Sequence, residues 1–185
     1  MNLTAQQMCK EIQGARFAYV QSDEISLLLS DFDTITTESW FDGNVQKITS
    51  VSASLATAWF NHFAQLRWGN LALFDSRVFT IPDPYEVENY FISRQRDAER
   101  NSVQMLAQKY YSQAALLGKK TPDLHDMLFE KEVNWNYLEA GLKRGRVVTS
   151  DKILDAPVFT KERQVLRSYI PTIDGFLWVE AGVKV

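Results

Sequence analysis

The stretch Ala18-Tyr19-Val20-Gln21-Ser22-Asp23-Glu24-Ile25-Ser26-Leu27-Leu28-Leu29 constrains this chain more than any other. An apolar run enters a short polar turn and a second apolar run leaves it. That is the pattern of strand, turn, strand, with two adjacent carboxylates at the tip. Neighbouring residues on a strand point to opposite faces, so Asp23 and Glu24 cannot act as a symmetrical pair. Carboxylates at a strand end suit a hard cation such as Mg2+, which takes one or two of them together with substrate phosphates. The same letters also describe a solvated hairpin turn, which is the commoner case.

The rest of the chain reads as one globular unit. A hydrophobic content of 45% and five Trp exclude a disordered chain, and 185 residues suffice for one domain with a core. A net charge of −3 means that any nucleic-acid contact must come from a local basic patch. The single cysteine, Cys9, excludes an internal disulfide and reads as a small buried side chain. Two His and one Cys exclude an ordinary structural zinc site without several carboxylates. No apolar run is long enough to cross a membrane and no signal peptide is visible, which gives a cytoplasmic expectation.

Asn2 to Gly14 reads as a short helix, and Phe17–Val20 with Ile25–Leu29 as the hairpin. Val45 to Phe63 has Ile48, Val51, Leu55 and Trp59 at helical spacing, beside small residues suited to packing on a sheet. Lys47 stands near the start of that helix, where a phosphate would be attracted, or is simply exposed. Leu71 to Ile81 reads as a strand ended by Pro82 and Pro84. A long helix then starts near Tyr85, with Asp83 as its N-cap, and reaches the region of Gln108. Its middle carries Arg94, Arg96 and Arg100 interleaved with Asp97 and Glu99. That is either a solvated face with local ion pairs or a phosphate- or RNA-binding patch of guanidinium groups. Lys109–Leu117 continues helical and Asp123–Phe129 forms a shorter helix. Val133–Asn136 is extended, Lys143–Val148 opens a strand with basic residues, and Phe176–Val179 is a final strand.

An ordered series of these segments resembles one family. It runs Gln21-Ser22-Asp23-Glu24-Ile25-Ser26, then Phe74-Asp75-Ser76-Arg77-Val78, then Asp97 and Asn101 in their helix. Gly118-Lys119, Leu128-Phe129, Asn134-Trp135-Asn136 and Lys143-Arg144-Gly145 follow. Their order and spacing are similar to the tRNA-His guanylyltransferase family, in particular its bacterial and phage guanylyltransferase-like branch. The resemblance implies an α+β fold, a polymerase palm-like (ferredoxin-like) antiparallel sheet backed by helices. The nucleotidyltransferase domain would span residues 1–150, with 151–185 as its C-terminal extension. It implies addition of guanosine to the 5′ end of tRNA in the 3′-5′ direction, with two Mg2+ ions and with ATP and GTP as substrates. It also implies a homo-oligomer, by family a tetramer.

Carried over by position, Asp23 is the metal ligand and Glu24 the neighbouring acid needed for activity. Ser22 lies against nucleotide phosphates. Arg77, Arg94, Gln95 and Asn101 stand near nucleotide or RNA, as Arg100 does within the basic patch, and Lys143 and Arg144 touch phosphate. The chain also departs from the family. Relatives begin with a strand bearing an Asp-Gly step and a following aromatic, and nothing before Gln21 supplies it. Asp42-Gly43 lies after the hairpin and is rejected as a substitute, and the guanine-binding segment is missing. A family histidine is replaced near Glu99, and Leu124 stands where many relatives carry lysine. The expectation is an N-terminally incomplete palm with one of two principal metal carboxylates. The alternative is a catalytically inactive tRNA-binding relative.

Overall fold

The computed structural model describes residues 1–65 and 69–172. The expected strand at Phe176–Val179 lies outside the described residues. A four-stranded antiparallel sheet has the order β2-β1-β3-β4, with β1 Ala15–Gln21, β2 Glu24–Leu29, β3 Arg146–Val148 and β4 Ile153–Asp155. The α+β class and the helix-backed antiparallel sheet are those expected.

β1 is the central strand and is covered on both faces, which explains its nearly unbroken apolar sequence. Phe17 and Tyr19 point to one side, into a core with Phe91, Phe159 and Leu166. Ala18 and Val20 point to the other side, against Ala5 and Cys9 of helix α1 (Asn2–Glu11). The Cys9 thiol is buried, donates to the Val148 carbonyl at 3.6 Å, and is pushed up to about 11 by burial. At pH 8 only about a thousandth of it is therefore thiolate, the reactive form. Iodoacetamide is expected to leave Cys9 unmodified in the native protein and to label it rapidly in denaturant, as read by intact-mass spectrometry.

α3 (Pro84–Gln108) lies on the Phe17 and Tyr19 face. Asp83 caps it, accepting from the Tyr85 N–H at 2.8 Å, and Pro84 occupies its first turn. The far half of α3 carries a second apolar cluster with α4 (Gln113–Leu116) and α5 (Thr121–Glu130), built on Val103, Leu106, Leu124 and Leu128. The expected continuous helix over Lys109–Leu117 is broken, because Ser112 caps a new start by accepting from Ala115 N–H at 3.4 Å. Val133–Asn136 is not extended: Trp135–Tyr137 is a 3-10 turn capped by the Asn134 side chain. Lys143 and Arg144 end helix α6 (Ala140–Arg144), and the strand begins only at Arg146.

Gly145 makes that helix-to-strand change possible. Its φ is +76°, and a Cβ there would stand 2.6 Å from the Val20 carbonyl and 2.7 Å from the Tyr19 hydroxyl. Gly145→Ala is expected to destabilise by about 2 kcal/mol or more. A calorimetric melting point within a degree of the unsubstituted protein would refute this.

Two expectations change at α2 (Val45–Ala64) and the segment after it. Among the described residues of α2 only Ala56 is buried; the helix packs mainly on α1, in an apolar cluster that also takes in Ile25, Leu27 and Leu29 of β2. Leu71–Ile81 belongs to no helix or strand among the described residues; its odd positions from Leu71 to Phe79 are exposed and the even ones between are half-buried. Side chains of α2 take its backbone groups instead. Asn61 both accepts from Ala72 N–H (2.9 Å) and donates to its carbonyl (2.8 Å), and Thr57 accepts from Phe74 N–H at 3.1 Å. The expected strand is therefore not formed among the described residues, although exposure alternates with the period of two that a strand would show.

Residues 151–172 contribute to the same core. Phe159 and Leu166 are fully buried, and Arg163 and Arg167 of α7 (Arg163–Arg167) clamp Glu88 on α3, each at 2.7 Å.

Candidate active site

The β1–β2 hairpin closes through Ser22 and Asp23, with Gln21 paired across to Glu24 and Ser22 at φ +47°. The tip stands between two open cavities, of about 510 and 380 Å3. Asp23 and Glu24 border both. Asp23 is exposed at the outermost point of the turn. Glu24 points to the α3 side, where Arg94 forms an ion pair with its Oε2 and the Gln21 amide donates to the same oxygen at 2.7 Å.

The structure brings some of the candidate residues together and disperses others. Ser22 and Asn101 line the larger cavity with Asp23, and Arg77 and Arg94 line the smaller one. Arg94 is already engaged: besides Glu24 it donates to Asp97 at 3.3 Å. Arg100 reaches the other oxygen of Asp97 at 2.7 Å while two-thirds exposed, so its charge is shared with solvent. The central patch of α3 thus carries the local ion pairs of the first reading, and of its arginines Arg94 borders a cavity.

Gln95 is elsewhere. It is buried, donating to the Pro157 carbonyl at 2.7 Å and accepting from Phe159 N–H at 2.8 Å, which ties α3 to the segment before α7. Lys47 lines neither cavity, and its ammonium lies 6.0 Å from the Phe41 ring centroid. Lys143 donates to the Asn136 carbonyl at 2.6 Å and lies over Trp135, while Arg144 Nε donates to Ala156 at 3.4 Å. The basic residue that this segment does send to the larger cavity is Arg146, on β3. Gln21, Ser102 and Arg146 are wall residues that sequence reasoning passed over. Only the basic run at Lys143–Arg146 signalled any of them, and strand register decided which member faces the cavity.

Asp42-Gly43 sits in an exposed 3-10 turn and lines neither cavity. Among the described residues no group of three or more His, Cys, Asp or Glu could hold a metal ion. The tip offers the carboxylates of Asp23 and Glu24, hard oxygen donors of the kind Mg2+ takes, and does not form a dedicated protein cage.

Comparison with known proteins places this geometry. A family model described as tRNAHis guanylyltransferase matches residues 1–82. A solved bacterial tRNA(His) guanylyltransferase (Thg1)-like protein in complex with ATP is 40% identical, with a TM-score of 0.86. The match covers 91% of this chain and 77% of that one. A bacterial Thg1-like protein solved in complex with GTP is 38% identical, with a TM-score of 0.73, over 90% of this chain and 74% of that one. A protein of Acanthamoeba polyphaga mimivirus is 28% identical over 166 residues, 76% of this chain, and the chain spans 57% of its length. These matches define an α+β domain of the Thg1-like type. The chain belongs to the tRNA(His) guanylyltransferase family.

Proposed function

We propose that this chain is a Mg2+-dependent nucleotidyltransferase that adds guanosine to the 5′ end of a tRNA in the 3′-5′ direction, with ATP and GTP as substrates. The observation that carries the reading is the acidic hairpin tip between two open cavities, in a family whose solved members were captured with ATP and with GTP. Asp23 would hold the ion, which when bound neutralises phosphate charge and aligns the reacting oxygens. The chain's own groups do the rest. Ser22 would face the phosphates from the turn, and Arg94 holds Glu24 by one oxygen, Oε2. Asn101 and Arg146 form the wall on which nucleotide rests. Arg77 is 89% exposed, and its contact with Asp75 is a loose 3.8 Å, so it is available to RNA phosphate at the smaller cavity. The partner is tRNA, and the place of action is the cytoplasm.

A second reading, a tRNA-binding relative without catalysis, is favoured by one observation. Glu24 is tied to Arg94 and Gln21, and no family-type Asp-Gly strand stands beside Asp23 among the described residues. Labelled-nucleotide addition to a tRNA lacking its 5′ nucleotide, with Mg2+, ATP and GTP, separates the two. Incorporation establishes the enzyme. Retained tRNA binding without incorporation, even after a strand carrying the Asp-Gly step is supplied in frame, establishes the binding relative.

The same reading includes a homo-oligomer. Among the described residues β2 lies at the sheet edge, and Leu71, Leu73 and Phe79 are between 60 and 83% exposed on the segment after α2. Unpaired edges and apolar patches of this kind favour association. Sedimentation at micromolar concentration is expected to give a mass well above the 21.3 kDa of one chain, and a monodisperse monomer refutes it.

A further inference from the structure

Gln21 is the one residue at the hairpin tip that is both polar and buried, with only 7% of its surface exposed. It stands directly across the ladder from Glu24, at the closing pair of the turn. Its Nε2 donates to Glu24 Oε2 at 2.7 Å, on the same oxygen that Arg94 engages. Its own Oε1 is buried and has no hydrogen-bond partner among the described residues. A buried carbonyl oxygen left unpaired costs stability. A methionine would fill the same length without that cost. The amide therefore makes poor sense as packing and good sense as a donor aimed at one carboxylate oxygen.

We propose that Gln21 is a positioning residue of this site, which together with Arg94 pins Glu24 by one oxygen and so aims the other at the cation and phosphates of a bound nucleotide. The inference rests on the nucleotide-binding reading above and goes beyond it in assigning Gln21 a role. Two donors reach Oε2 from different elements, the amide from β1 and the guanidinium from α3, so that one oxygen is held from two sides. With the amide removed, Arg94 alone holds Glu24, and Arg94 is shared with Asp97. The carboxylate is then free to turn about a single ion pair. No other side chain in the described residues donates to Glu24.

The test uses Gln21→Met, which keeps the bulk and loses the donor, and Gln21→Asn, which keeps an amide but falls one methylene short. Three quantities are read: the melting temperature, the Kd for Mg2+–ATP by titration calorimetry, and the kcat and KM of nucleotide addition. Gln21→Met is expected to melt at or above the unsubstituted protein and to bind Mg2+–ATP about tenfold more weakly, the worth of one charge-assisted hydrogen bond. Nucleotide addition is expected to lose at least as much in kcat/KM, and Gln21→Asn to behave alike in binding. In a Glu24→Gln background the same Gln21→Met change is expected to have no further effect on Kd, because both act through one carboxylate. A packing role would instead lower the melting temperature and leave Kd unchanged, and that outcome overturns the proposal. So does a Kd that is the same with and without the amide, or a loss that is fully additive with Glu24→Gln. If the unsubstituted chain adds no nucleotide, the enzymatic reading fails by itself, and the binding and melting measurements still decide the role of Gln21.

Discussion

Asp23→Ala is expected to reduce nucleotide addition by at least about 100-fold, the scale on which removal of one group that stabilises transferring charge acts. The melting temperature should move by less than about 2 °C. Asp23 is exposed at the turn, and surface substitutions usually stay within about 0.5 kcal/mol. In a chain of this size each kcal/mol corresponds to roughly 2–4 °C. The two readouts together isolate the chemistry: activity falls while the fold stands. Addition assays across a Mg2+ titration, beside a melt of the same preparation, make the measurement. An Asp23→Ala protein that still incorporates nucleotide at more than a tenth of the normal rate would remove Asp23 from the role of metal ligand. Asp23→Asn, which keeps the shape and loses the charge, should be nearly as inactive.

The second large effect concerns stability. Glu88 is 1% exposed and is held at 2.7 Å by both Arg163 and Arg167. Breaking a buried ion pair by removing one partner typically costs about 3–5 kcal/mol, because the other charges remain without compensation. Arg163 is about half exposed and can turn to water, and Arg167 is mostly buried, so the lower end applies. Glu88→Ala is expected to lose about 3 kcal/mol, or roughly 6–12 °C in melting temperature. The loosening should begin at α7, since the clamp is what fastens that short helix to α3. Limited proteolysis would then cut near Arg163 and Arg167 before any other site. Glu88→Gln keeps one acceptor oxygen but sets an NH2 against the second arginine, and should fall between the original and Glu88→Ala. A Glu88→Ala protein melting within 2 °C of the original would show that the clamp contributes little.

These two residues differ in how visible they are from sequence. Asp23 was legible because everything that places it is local: two apolar runs with a two-residue polar turn between them make a hairpin, and the turn puts the acid at its tip. α3 was legible for the same reason, since Asp83 and Pro84 mark its start within three residues. Glu88 was not legible. It sits in a charged helix, and only the return of the chain 75 residues later brings Arg163 against it. Gln95 carries a similar lesson. It stands among the arginines of the patch, yet helical phase turns it inward to Pro157 and Phe159 while Arg94 and Arg100 turn out. At Leu71–Ile81 the strand reading is not met among the described residues: exposure alternates along the segment, but whether such a segment becomes a strand depends on a neighbouring edge that no local pattern contains.

The sequence by itself determined the acidic turn, the long capped helix, the single buried thiol and the ordered motifs that mark the family, because each depends on residues a few positions apart. Tertiary structure alone decided which basic residue of the 143–146 run meets the cavity, which oxygen of Glu24 is held, and how α7 is fastened. The physical reason is that each of these turns on a pairing across the fold: strand β3 against β1, α3 against the hairpin, and two arginines against one buried carboxylate.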